Sequence, residues 1–242
     1  MLGVFFHGCE YVQVRGVKIT NPPECVNTDG IDIDCCRFAT VSDCIITTGD
    51  DAIAIRCDSK RLKNPKPCEN ITVTNCILSS NSSVFRIGVG GGEIRHVTVS
   101  NLVVSGGGDL ITYSTSFMGR GKAIIQDMIF SDISAYNVRH IIDCIIEKGS
   151  VKNTVMKNLN INATGGICIV QNGKGAISGL TLKDINIEVK EKKIPGEKYL
   201  LNISNTNNTT LDGVRVSCKS DAWEKILYSQ GNIGLTDKDC SF

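Results

Sequence analysis

Short runs in which apolar and polar residues alternate recur along the whole chain, rich in Val, Ile and Thr, each punctuated by Asn, Asp or Gly. Most of the length lacks the three-to-four-residue apolar spacing of an amphipathic helix, so the pattern predicts strands. Aligning YVQVRGVKI, ATVSDCII, ITVTNCIL, VTVSNLVV, MIFSDISA, VMKNLNIN, LTLKDINI and TLDGVRVS brings Gly16, Asp43, Asn75, Asn101, Asp132, Asn158, Asp184 and Gly213 into one column. Successive members lie roughly 26 to 32 residues apart, a period that marks a solenoid. A second strand family, IDIDC, AIAIRC, FRIGV, LITYS, IIDCII, ICIVQ and LLNIS, accompanies the first.

That period is too short for helical-pair repeats. Two or three short strands with tight turns make one coil of a parallel β-helix, and about eight coils account for residues 1–242 as one all-β domain. The column has a physical reason. Asn, Asp and Gly tolerate left-handed backbone at a bend between sheets, and stacked Asn side chains hydrogen-bond along the axis. Val, Ile, Leu and Cys fill the inward positions, with Cys44 and Cys76 on equivalent rungs. Uncovered terminal coils expose strand edges. The stretch Asp221–Gln230 reads as a helical cap, whereas nothing comparable precedes Tyr11, so N-terminal coils and a cap are expected to be missing.

Composition narrows the function. Twenty-six Lys+Arg against 25 Asp+Glu give a net charge of +1, which supplies no overall basic field for nucleic acid. No run approaches the roughly 18 apolar residues of a membrane span. The 12 cysteines raise disulfides or a metal site, but there is no CxxC and only His7, His96 and His140 stand ready to complete a zinc set. They read instead as small buried hydrophobes, and no metal or cofactor is expected. The start MLGVFFHGCEYVQV shows no signal-peptide pattern.

Three carboxylates stand out: Asp29 in NTDG, and Asp50 and Asp51 in TGDDAIAI. Asp29 and Asp50 are about one short coil apart, which puts them at corresponding sites on neighbouring rungs, about 4.8 Å apart. Like charges that close raise one another's proton affinity, leaving one carboxyl protonated beside an ionised one. Glycosidic cleavage needs that pair. Asp before Gly is also a routine turn residue, and neighbouring rungs can gather carboxylates around Ca²⁺.

The segments Asn27-Thr28-Asp29-Gly30-Ile31-Asp32 and Gly49-Asp50-Asp51-Ala52-Ile53-Ala54-Ile55 resemble the paired signatures of glycoside hydrolase family 28, the polygalacturonase and rhamnogalacturonase family. Similarity also runs through His7-Gly8-Cys9-Glu10 and RIGVGGGEIRHVTVSN to Gly119-Arg120-Gly121, covering roughly residues 4 to 135. The resemblance implies a right-handed single-stranded parallel β-helix of the pectin-lyase-like type. It also implies an inverting hydrolase of pectin-type polysaccharide, secreted or periplasmic and monomeric, with Asp50 as general acid and Asp29 and Asp51 activating water. Inverting enzymes separate acid and base by roughly 6.5–9.5 Å, wider than neighbouring rungs, so inversion comes from the resemblance and not from spacing.

Two departures matter. Where polygalacturonases carry Gly-His-Gly, this chain reads Asn81-Ser82-Ser83-Val84-Phe85-Arg86; where they offer Arg-Ile-Lys, it reads Asp109-Leu110-Ile111-Thr112-Tyr113-Ser114. Without a cation there, galacturonate recognition is in question. Asn27, Arg86, Tyr113 and Arg120 are the candidate substrate contacts, the arginines as replacement charge and Tyr113 as a ring to stack on a sugar. The stretch Lys60–Lys66 reads as a solvated loop beside the cleft. Alternatives are a β-helix polysaccharide lyase, and a degenerate β-helix that binds glycan or serves structurally.

Overall fold

The computed structural model describes residues 3–119, 121–189, 196–218 and 223–242. Its strands all pair in parallel, each with the strand one turn before and one turn after. This is a right-handed parallel β-helix with three faces per turn. One turn shows the plan: Ile31–Asp34 lies on the first face, Arg37–Ser42 on the second and Ile45–Thr48 on the third.

Alternation decides which side chains enter the interior. On the first face Ile31, Ile53, Phe85 and Ile111 stack inward, while Asp32, Ala54, Arg86 and Thr112 stack outward. The second face contributes the stack Val41, Val73, Val99 and Phe130, and Phe130 meets Phe85 edge-to-face across the core at 5.8 Å. Cys44 and Cys76 are buried and continue into Leu102 and Ile133, as packing residues do.

All eight residues of the Asn/Asp/Gly column have positive φ, from 50° at Asp184 to 67° at Gly16. Asn75 Nδ2 donates to Asp43 Oδ1 (3.5 Å), Asn101 Nδ2 to Asn75 Oδ1 (3.4 Å) and Asn158 Nδ2 to Asp132 Oδ1 (2.6 Å). Asp239 (φ 50°) adds a ninth bend, so the solenoid has nine turns where the sequence column showed eight. A second left-handed column runs through Tyr11, Phe38, Asn70, His96, Asp127, Asn153, Gly179, Asn208 and Gly234.

The C-terminal helix is a correction. Lys225–Gln230 is a strand in register with Tyr199–Ser204, placing Leu227 on Leu201. The edge of the preceding turn offers unpaired backbone groups, and that ladder outweighs the helical spacing of a short segment.

Candidate active site

The bend between the third face and the first carries the acids, in residues 21–30 of one turn and 49–52 of the next. Extending the register Ile31↔Ile53 back two places sets Asp29 opposite Asp51, with Asp50 one residue earlier. The sequence pairing of Asp29 with Asp50 is therefore displaced by one residue, yet all three acids meet. One oxygen from each of Asp29, Asp50 and Asp51 lies within 4.8 Å of the other two.

The glycines beside the acids allow this approach. A Cβ on Gly30 would lie 2.4 Å from the Ala52 carbonyl oxygen, and one on Gly49 would lie 2.3 Å from that of Cys25. Neither position accepts a side chain without moving backbone. The loop is then tied at several points. Asn21 donates to the Thr28 carbonyl (2.9 Å), and Thr28 Oγ1 to that of Cys25 (2.7 Å). The Asn27 backbone N–H donates to Asp50 Oδ2 (2.9 Å), so Asn27 orients an acid through its main chain.

The stretch lacking the family's histidine performs a different task. Ser80 Oγ donates to the Asp50 carbonyl (2.7 Å), and the Ser83 N–H to Asp51 Oδ1 (3.1 Å). Arg86 grips Asp51 with two nitrogens, Nε to Oδ2 at 3.0 Å and Nη2 to Oδ1 at 3.2 Å, and also reaches Ser82 and Ser114. Burial opposes the Arg86 charge, but the hydrogen bonds and charge of Asp51 prevail and raise its pKa. Arg86 is a partner of the acid cluster.

Electrostatics separate the acids. Burial, then the charges of Asp50 and Asp51, push Asp29 from 3.8 to about 6. Asp32, which alternation alone places on the outer side of the same strand, is only 1% exposed; burial and then Asp29 raise it to about 7, against the opposing pull of Arg56. Its Oδ2 accepts from Arg56 Nη1 at 3.0 Å.

The other predicted contacts fall elsewhere. Tyr113 occupies an inward position in register with Ile87 and is 5% exposed, beside Ile142, Cys144 and Met156. Its ring faces the core, and the residue also borders the hollow beside Arg86. Arg120 lies outside the described residues. Lys60 lines a depression of about 430 Å³ with Arg56, Asp58 and Phe117. A second hollow of about 300 Å³ adjoins Arg86 and is walled by Thr112, Ser114, Asp143 and Glu147.

A family model described as glycosyl hydrolases family 28 matches residues 2–221. The chain belongs to this family. An apple (Malus domestica) polygalacturonase is 26% identical over 203 residues, 76% of this chain and 42% of its own length. Tomato (Solanum lycopersicum) polygalacturonase-2 is 25% identical over 239 residues, 93% of this chain and 50% of its own. The family 28 exopolygalacturonase of Yersinia enterocolitica superposes with a TM-score of 0.65 at 13% identity, over 86% of this chain and 38% of that one. This family 28 chain thus spans half or less of the length of these relatives.

Two rungs beyond the acids, the family 28 solenoid builds an ion cluster that sequence reading missed. His140 Nδ1 meets Asp109 Oδ1 at 2.6 Å and His140 Nε2 meets Glu197 Oε1 at 2.7 Å, while Arg139 Nη2 donates to Asp109 Oδ1 at 3.0 Å. Hydrogen bonds that its ring N–H groups donate to Asp109 and Glu197 raise His140 to about 9. Burial pushes Asp109 up, but His140 and Arg139 overcome it and hold the carboxyl below its ordinary range. The only available signal was the solenoid period, which sets Asp109 and His140 one coil apart.

Proposed function

We propose that this chain carries the hydrolytic site of a family 28 glycosidase that cleaves pectin-type or related cell-wall polysaccharide outside the cell. The supporting observation is the convergence of Asp29, Asp50 and Asp51 from two adjacent turns, with Asp29 raised to about 6. A carboxylate with that affinity for protons is a stronger base than an ordinary Asp and is largely ionised at neutral pH, which suits it to activating water. Asp50 delivers the proton to the leaving oxygen, and Asp51, gripped by Arg86, orients the water with Asp29.

Four cations near the cleft are already matched by acids, Arg56 with Asp32, Arg86 with Asp51, and Arg139 and His140 with Asp109, whereas Lys60 at the Arg56 depression has no such ion pair among the described residues. A polyuronate would have to displace these partners, so the arrangement favours neutral or mixed-backbone pectic chains. Replacing Asp50 by Asn tests the site: product from a pectic and neutral oligosaccharide panel should fall at least 10²-fold with the circular dichroism spectrum retained. Parent-like cleavage by that variant would remove Asp50 from the mechanism. The anomer first released, followed by proton NMR, tests inversion; a retained configuration would refute it.

A further inference from the structure

We propose that His7, Asp34 and Cys35 form a zinc site that staples the first two turns, with the Cys57 thiol of the next turn packed against Cys35. His7 ends the strand Val4–His7 and lies in register with Asp34 on Ile31–Asp34, and Cys57 ends Ile53–Cys57 on the following turn. One donor atom from each of His7, Asp34 and Cys35 lies within 4.8 Å of the other two. His7 Nδ1 is 3.4 Å from Asp34 Oδ2, Cys35 Sγ is 3.3 Å from Asp34 Oδ1, and Cys57 Sγ is 3.7 Å from Cys35 Sγ. Around a tetrahedral zinc with bonds of about 2.0–2.3 Å, neighbouring donors stand about 3.3–3.8 Å apart; the two short contacts of Asp34 use different oxygens, so its carboxylate must turn to bring one oxygen to the metal.

The imidazole supplies a separate observation. Both His7 ring nitrogens are shielded from solvent, and neither makes a hydrogen bond. Nδ1 faces the Asp34 carboxylate at 3.4 Å without hydrogen-bond geometry and Nε2 makes no hydrogen bond, so the N–H and lone pair of a neutral imidazole are poorly satisfied. Coordination by Nδ1 uses the lone pair. Cys35, Cys57 and Asp34 are buried, and the Asp58 N–H donates to Asp34 Oδ1 at 2.8 Å, fixing the carboxylate from behind. A sulfur, an imidazole and one carboxylate suit zinc and not Ca²⁺ or Mg²⁺, which seek oxygen. On binding, the Cys35 thiol releases its proton to solvent and nothing is oxidised or reduced. Asp34 is five residues beyond Asp29, about 16 Å along an extended strand. The site is thus distinct from the catalytic acids and independent of their assignment.

The test measures metal in the whole chain purified after growth with zinc, and then with cobalt in its place. Expected are about one zinc per chain and the visible and near-ultraviolet bands of tetrahedral thiolate-bound cobalt. His7→Ala and Cys35→Ser should each weaken zinc binding at least tenfold, while Cys168→Ser, remote from the cluster, should leave it unchanged. Absence of zinc after reconstitution, or an octahedral cobalt spectrum, would overturn the proposal. So would a Cys35–Cys57 disulfide, seen in the intact mass and as two missing titratable thiols. Should the variants fail to fold, zinc-edge X-ray absorption of the parent decides: sulfur and imidazole scattering supports the site, and a shell without sulfur refutes it.

Discussion

Replacing Asp29 by Asn should make the protein more stable at about pH 8 and no more stable at about pH 3, below the unfolded value of 3.8. Burial and the neighbouring Asp50 and Asp51 raise this carboxyl from 3.8 to about 6, so the folded chain binds its proton more tightly than the unfolded chain does. Stability from that difference is fully present at low pH and is lost as pH rises through about 6. At ~1.4 kcal/mol for each tenfold change in proton affinity, the displacement corresponds to ~3 kcal/mol. Asp29 is only half-buried, and solvent screening reduces the expected gain to ~1 kcal/mol. For a domain of this size that is a rise of about 2–4 °C in Tm. The Asn side chain keeps an acceptor for the Asp51 N–H and removes the repelled charge, which also relieves Asp32. Melting curves by circular dichroism at the two pH values read the effect. An equal gain at both, or a loss at about pH 8, would refute the electrostatic account. Activity should drop at least 10²-fold, so the site trades stability for chemistry.

Arg86→Ala leaves the buried Asp51 without its bidentate partner and should cost ~2–4 kcal/mol, read from urea denaturation, with Arg86→Lys restoring part of the loss. His140, raised from 6.5 to about 9, contributes stability that is complete below about pH 6.5 and lost as pH rises through about 9. Tm measured across that window should fall in the parent and stay flatter in His140→Gln. Tyr113→Phe should leave cleavage of the best substrate within about twofold of the parent, because the hydroxyl is buried; a tenfold loss would place the hydroxyl at the substrate.

The repeat and its first bend were legible because one steric requirement, left-handed backbone, selected Asn, Asp or Gly at eight successive turns. The second bend has the same φ and Asn, Asp or Gly at six of its nine positions, but Tyr11, Phe38 and His96 interrupt the run and hid the column. The acid cluster was readable because both of its segments are short motifs with glycine neighbours. Its refinement was not: the one-residue offset between Asp29 and Asp50 depends on strand register, which the motif spacing leaves ambiguous. Arg86 was seen as a candidate sugar contact, although its partner lies 35 residues earlier. The Asp109–His140–Glu197 cluster escaped altogether, since nothing local to any of the three announces the others.

The side-chain ladder of the first bend also has a direction. Each recorded donation runs from an amide to the residue one turn earlier: Asn101 to Asn75, Asn75 to Asp43, Asn158 to Asp132. An Asp can only receive, so it starts a run, and an Asn both receives and passes the run forward. Asn101 has turned its amide back toward Asn75, and the next member, Asp132, opens a fresh run. Turns whose backbones superpose are therefore not interchangeable in order. Duplicating the turn that ends at Asn158 would lengthen a run, whereas duplicating the one that ends at Asp132 would set two carboxylates about 4.8 Å apart with no donor between them. The order of acid and amide along the axis is a syntax that the evenness of the coils conceals.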